Sequence, residues 1–387
     1  MKRLTLYSGP AFTCYFMSFV VGLLFALVMP TLSVLVAKGL GVRPFLVGVF
    51  FVAMAASSIV FSHMLATWSD KVNDRRPLIM AGMLFGAASC LVFAFSSNYW
   101  VLLTLGSTLF SLSFAFTSQM FAHAREFADQ RLTLGQNTLF NSIVRAGIAV
   151  AWVSGPPIGF ALYNYLGIQW HYTYVAIAYI AAGLLAWLAL PKAEKFDTSA
   201  LAPIPASHKQ QVVIAIIAFA FLYACNQTYL ISLPLYLPEH LGLDSSYAGW
   251  IMGTAAALEI PIMIFGGWLG TRYPLIALIR IGGLCAAALY LGIWNATALW
   301  QLFVLQLLNA VFIGFVAGLG MTWFQDMMPG KAGAASALYL NANNIGNLLG
   351  SLVIAVFAEA LGYRHIFLIM IAIAACAVVT LSLLDKR

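Results

Sequence analysis

The sequence predicts an all-helical membrane protein with twelve spanning helices in two pseudo-symmetric six-helix bundles. Three observations carry that prediction. Of the 387 residues, 63% are hydrophobic and only 8% are charged, whereas roughly a quarter of a typical soluble domain is charged. Lipid must therefore be the solvent for most of the surface. Apolar runs of the ~20 residues needed to cross a bilayer recur along the chain. One long polar stretch, PKAEKFDTSALAPIPASHKQQ, separates six such runs from six others.

In chain order, the first span is expected at 11–37. Its apolar run is too long for the hydrophobic region of a cleavable signal peptide, and no small-residue cleavage site stands out. Lys38 and Arg43 separate it from a second span at 44–67, which Lys71, Arg75 and Arg76 close. The third and fourth follow at 77–96 and 100–122, with Arg125 and Arg131 beyond them. The fifth, 134–163, and the sixth, 170–190, complete a first bundle over residues 1–190. After a linker at 191–210 rich in Pro, Ser and Lys, the second bundle covers 211–387. Its spans are expected at 211–237, 246–270, 275–294, 299–322, 333–360 and 365–384.

Lys and Arg accumulate on the cytoplasmic side of membrane proteins. With the N-terminus inside, that side holds Lys2, Arg3, Lys71, Arg75, Arg76, Arg125, Arg131, Lys192, Lys195, Lys209, Arg272, Arg280, Lys331, Lys386 and Arg387, which is 15 of 19 basic residues. Lys38, Arg43 and Arg364 fall outside and Arg145 lies within a span, so both termini are expected in the cytoplasm. The net charge of +7 thus reads as topology and not as a nucleic-acid surface. Cys14, Cys90, Cys225, Cys285 and Cys376 sit in apolar runs without metal-ligand spacing and read as small buried hydrophobes. No metal or cofactor is expected. The chain lacks an HExxH zinc motif, a phosphate-binding glycine loop and paired helix carboxylates, which argues against an enzyme. The absence of a sizeable extramembrane segment argues against a sensor.

The two halves echo each other. GVRPFLVG at 41–48 matches GLDSSYAG at 242–249 in the spacing of its glycines. FAHAREFAD and WFQDMMPG end the fourth and tenth spans, placing Glu126 and Asp326 two hundred residues apart. Repeated six-helix halves joined by a cytoplasmic loop describe the major facilitator architecture, in which the substrate site lies near the midplane between halves. The loop WSDKVNDRRPLI resembles that superfamily's loop between helices 2 and 3, where an acid and following basic residues latch the inward-side gate. Asp70 matches the acid, and Arg75 and Arg76 match the basic pair. The usual leading glycine is replaced here by Thr67 or Trp68. In the fifth span, RAGIAVAWVSGPPIGFAL carries Gly147, Gly155, Pro156, Pro157 and Gly159, where small residues admit close helix approach and proline permits a kink. This resembles the Gly-Pro motif of antiporters in the superfamily and points to efflux.

AREFAD, VRAGIAVAWVSGPP, MGTAAALEIP and LNAVFIGFVAGLGMTWFQDMMPGKAGAA are similar to the bacterial sugar efflux transporter family, with a likeness running over nearly the whole chain. The resemblance implies proton-linked export of sugars such as lactose, glucose and thiogalactosides across the bacterial inner membrane. It also implies gating roles for Arg125, Glu126 and Asp326. One departure is ISLP, where Ser232 replaces an acid expected before the proline. A broad-specificity drug/proton antiporter of the same fold is the alternative. The chain is expected to act as a monomer.

Two charges lie deep in spans. Glu259 stands 11 residues from Gly270 and Arg145 stands 11 from Leu134, each roughly 16 Å from the inner end at 1.5 Å per residue. The resemblance implies that the fifth and eighth helices face each other, so the two can pair in one state. Pairing would hold Glu259 ionised, and separation in a dry site would favour proton uptake. A permanent structural pair, or sugar binding by Glu259, are the other readings. Sugars need dense hydrogen-bonding groups, and Asn226, Gln227, Tyr229, Asn309, Asn341, Asn343 and Asn344 supply them in the second half, with Asn141, Gln119 and His123 in the first. Each amide is also a candidate helix bridge. Asn341 and Asn344 lie one turn apart and share a helix face. Tyr15 and Trp323 are candidate stacking surfaces, although Trp323 reads better as an interfacial anchor. His63 reads as a helix contact.

Overall fold

A computed structural model describes residues 6–69, 72, 74–132, 134–192, 209–328 and 332–384. All regular structure among the described residues is helical, as an apolar solvent demands of a backbone that must satisfy its own hydrogen bonds. Among the described residues, ten helices are long and apolar enough to cross a membrane. Two of them, Leu134–Ala189 and Ala332–Ser382, are far longer than one span requires. Each is interrupted by a non-helical glycine, Gly167 at φ 79° and Gly362 at φ 73°. The breaks fall between the expected fifth and sixth spans and between the expected eleventh and twelfth. The repeated glycine spacing has a repeated geometry: Gly41 and Gly242 both take a left-handed φ, 62° and 64°.

The helix ends differ from the hydropathy reading where polar side chains find partners. The expected fourth span stops at 122, but the helix continues unbroken to Arg131. Its final turns carry Arg125 and Asp129 at i,i+4 spacing, 3.9 Å apart, and Glu126, which is buried against Arg75. Loss of hydropathy is therefore not loss of helix here. The first helix, Gly9–Val34, similarly runs on through a wide π turn, Leu35–Gly39.

The chain divides into two compact units, Met1–Val42 with Ala53–Thr198 and Arg43–Val52 with Ser199–Arg387. In the first, Gly9–Val34 and Arg76–Phe95 both pack along Leu134–Ala189, and Arg76–Phe95 also meets Ser107–Arg131. In the second, Lys209–His240 packs along Ala332–Ser382, while Leu299–Asp326 contacts both Tyr247–Gly270 and Leu275–Asn295. The opening residues of the helix Pro44–Ser69 belong to the second unit: Arg43 Nη1 lies 3.2 Å from Glu359 Oε1. Residues 193–208 of the expected linker lie outside the described residues. Of the five cysteines, Cys14, Cys90 and Cys225 are buried, but Cys376 is on an exposed helix face, where lipid takes the place of protein as the apolar neighbour.

The Gly-Pro segment shows why small residues were placed there. Pro156 and Pro157 lie inside the helix, and Gly155 meets the first helix so closely that a Cβ on it would stand 2.4 Å from Ala26 Cβ. Gly155→Ala is therefore expected to destabilise the first unit by about 1–3 kcal/mol, the usual cost of overpacking. A lower melting temperature of the detergent-purified protein is the readout; an unchanged one would mean the helices separate freely at this point.

Candidate functional site

In the second unit, the helix Tyr247–Gly270 carries Glu259 near its middle, half-buried among small and apolar residues. Its electrostatic neighbour is Tyr223 of Lys209–His240. That tyrosine is placed by a close helix contact: a Cβ on Gly346 would stand 2.4 Å from Tyr223 Cβ, so only a residue without one lets the two helices approach this closely. The Tyr223 hydroxyl bonds the Tyr339 hydroxyl and interacts with Asn343. Asn343 in turn accepts from Asn347 Nδ2 at 3.2 Å, and the Tyr339 hydroxyl donates to the Ala317 carbonyl at 3.2 Å. Two phenols and two amides thus form one polar group within an otherwise apolar bundle, with the Glu259 carboxyl in electrostatic reach of its Tyr223 member. Such a set can hold a proton and bond hydroxyl groups.

A second polar group joins Lys209–His240 to Leu299–Asp326. The Tyr229 hydroxyl donates to Gln306 Oε1 at 3.0 Å, and Asn309 Nδ2 donates to the same oxygen at 2.9 Å. All three side chains are buried. Gln227 is buried too, with its Cβ against Gly350, and Asn226 is half-buried beside it. Asn344 is half-buried and Asn341 exposed. Ser232, at the position of the expected acid, is fully buried and its hydroxyl has no partner among the described residues.

In the first unit, Arg75 forms the centre of a buried cluster at one end of its helices. Its Nε donates to Glu126 Oε1 at 2.8 Å and its Nη1 to Gln119 Oε1 at 2.5 Å. Gln119, expected among sugar ligands, therefore has its carbonyl committed to an arginine. His123, between them on the same helix, is fully buried with neither ring nitrogen partnered among the described residues. Arg76 is held by Asp74, with Nη2 2.7 Å from Oδ2. Asp70, the expected acid of this latch, lies outside the described residues. Arg125 is exposed and Asp326 ends its helix exposed.

Hydrogen bonding from Arg76 is the main cause that holds the Asp74 carboxyl below the usual carboxylate range, against an opposing push from burial. A carboxyl lowered in the folded state contributes stability above its unfolded value and loses it as pH falls through the folded one. Asp74→Asn is thus expected to lower the melting temperature at neutral pH, where that contribution is fully present, and to flatten the acid side of the profile as the two proteins converge. A wild-type acid limb in the variant would count against this link.

Other expected residues are placed without a shared site. Tyr15 is half-buried; its hydroxyl donates to the Leu6 carbonyl at 3.2 Å and its ring lies 5.0 Å from that of Phe140. Asn141 Nδ2 donates to the Asn137 carbonyl one turn back, 2.9 Å. Arg145 sits on an exposed face of its helix. Trp323 is not an interfacial anchor. It is buried and stacked on Phe219 at 5.8 Å, with the Phe324 ring edge-on to it at 5.7 Å. Sequence reasoning passed over Asp74, Tyr223, Tyr339 and Gln306. Gln306 had a legible signal, its i,i+3 spacing from Asn309 on one helix face.

The chain matches the Major Facilitator Superfamily model over residues 14–294 and 214–387. It is 40% identical to sugar efflux transporter A of Dickeya chrysanthemi over 94% of this chain and 92% of that protein. It is 35% identical to sugar efflux transporter C of Escherichia coli K12 over 94% and 93%. Among solved structures, a bacterial homologue of the human lysosomal transporter Spinster superposes with a TM-score of 0.80 at 14% identity, covering 97% and 96% of the two chains. The nucleoside transporter NupG superposes with a TM-score of 0.78 at 13% identity, covering 98% and 100%. Those two likenesses speak for the fold alone. The relatives are transporters and not enzymes, and identity at this level over nearly the full length of both chains fixes the lineage. This chain is a multi-pass membrane protein of the major facilitator superfamily and belongs to its sugar efflux transporter family.

Proposed function

We propose that the protein exports small sugars, lactose, glucose and thiogalactoside-like glycosides among them, in exchange for protons by alternating access. It does so as a monomer with both termini in the cytoplasm of a bacterial inner membrane and twelve spanning segments. The observation that carries this reading is the lone mid-helix carboxylate, Glu259, in electrostatic reach of Tyr223 in the Tyr223–Tyr339–Asn343 group. An ionisable residue in a spanning helix is costly and marks an ion or substrate pathway. Glu259 carries the proton, and Arg145 is its exchange partner. Asn226, Gln227, Asn309, Asn341 and Asn344 supply hydrogen bonds to sugar hydroxyls, with Asn141 and Tyr15 from the first half. Arg75, Glu126 and Gln119 with Arg76, Asp70, Arg125 and Asp326 belong to the gate, and Gly155, Pro156 and Pro157 to the helix that moves against it. The family relationship supports the sugar; the density of amides supports a polar ligand over an apolar drug.

Purified protein in proteoliposomes with an imposed pH gradient decides between the two. Labelled lactose or a galactoside is expected to move against its own gradient, and ethidium is not. Ethidium transport without sugar transport would establish the drug antiporter instead.

A further inference from the structure

Gln306 is fully buried in the helix Leu299–Asp326 and is bonded through both ends of its amide. Its Nε2 donates to the Leu302 carbonyl one turn back, at 2.7 Å. A carbonyl oxygen only accepts, so that bond decides which end of the amide is nitrogen and turns Oε1 the other way. Oε1 then receives two donors, the Tyr229 hydroxyl at 3.0 Å and Asn309 Nδ2 at 2.9 Å. The chain of choices continues into Asn309. Facing an acceptor, its carboxamide must point nitrogen at Gln306 and oxygen away. That oxygen, Asn309 Oδ1, is a buried acceptor with no partner among the described residues, on a side chain only 4% exposed. Buried acceptors without a donor are costly and rare. Here the cost falls on a residue whose orientation is fixed by two hydrogen bonds in series, with a third from Tyr229 onto the same Gln306 oxygen.

We infer that Gln306 is a positioning residue: it locks Asn309 with Oδ1 presented as an acceptor for one hydroxyl of the sugar. Specificity at that position follows from chemistry. A hydroxyl donates to the waiting oxygen, whereas a deoxy position leaves it unpaired. The donor of Tyr229 is spent on the lock and does not select the ligand. Without Gln306, the Tyr229 hydroxyl, which also interacts with Asn309, loses its acceptor and turns its donor to Asn309 Oδ1, so the oxygen is no longer presented and the distinction is lost. The inference rests on the sugar-transport reading above.

Counterflow of labelled lactose in proteoliposomes, competed by a set of monodeoxy galactosides lacking one hydroxyl each, tests it. Wild-type protein is expected to bind one member of the set about 3- to 10-fold more weakly than the parent sugar, as loss of a neutral hydrogen bond implies. In Gln306→Met that preference collapses, while discrimination at the other hydroxyls stays as it was. A structural role alone would weaken all sugars together and leave the preference intact, which would overturn the inference. If Gln306→Met does not assemble, as judged by gel filtration in detergent, Asn309→Ala decides. Loss of the same single preference supports the lock, and its persistence overturns it. A wild-type protein that moves no sugar refutes the transport reading itself. One that moves sugar without any such preference refutes only the lock.

Discussion

Glu259→Gln is expected to abolish pH-gradient-driven sugar efflux while largely preserving sugar exchange at equal pH. Glutamine keeps the shape and the hydrogen bonding of a protonated glutamate but has no proton to release. Its effect therefore separates coupling from binding. The position makes the case for coupling: Glu259 sits near the middle of Tyr247–Gly270, where insertion scales assign an acid a cost of about 2.5–3.5 kcal/mol. A residue kept at that cost has a task, and its charge is felt at Tyr223, a member of the Tyr223–Tyr339–Asn343 group. Uphill efflux should fall by an order of magnitude or more, with its pH dependence gone. Arg145→Gln should retain driven transport with an altered pH profile, because the arginine exchanges with the proton but does not carry it. Driven efflux by Glu259→Gln with the wild-type pH profile would place the proton elsewhere in the chain.

The spans were legible because lipid imposes one rule on every surface residue, and apolar runs follow directly from it. The breaks at Gly167 and Gly362 fell inside the expected gaps for the same reason: apolarity fades where the chain turns. Partners across helices were a different matter. Nothing in WSDKVNDRRPLI says that Arg75 reaches Glu126 or that Arg76 turns back to Asp74; those choices depend on how helices rotate against each other. Trp323 misled because a tryptophan near a span end satisfies the anchor rule equally well whether its helix face meets lipid or Phe219. Glu259 was conspicuous as the only acid in its run. Gln306, uncharged and surrounded by apolar residues, was not, although its bonds organise two residues that were singled out.

The Arg75–Glu126 pair gives the second large effect. Glu126→Ala is expected to destabilise the protein by about 3–5 kcal/mol, since removing one partner strands a buried charge. Both side chains are close to nine-tenths enclosed, at 9% and 11% exposure, so solvent cannot take over the lost role. Gln119 would still accept from Nη1 at 2.5 Å, but a neutral amide does not neutralise a guanidinium. The double variant Arg75→Met/Glu126→Leu removes both charges together and should recover most of the melting temperature lost by Glu126→Ala. Transport should not recover with it if the pair latches the gate: a stable protein with an altered transport rate would show that the charges serve state selection and not stability. Equal destabilisation by the single and double variants would instead make the pair a structural bond. Gln119→Leu sharpens the distinction, because it removes a hydrogen bond from Arg75 while the ion pair stays whole. It should cost less than Glu126→Ala by the difference between a lost acceptor and a lost counter-charge.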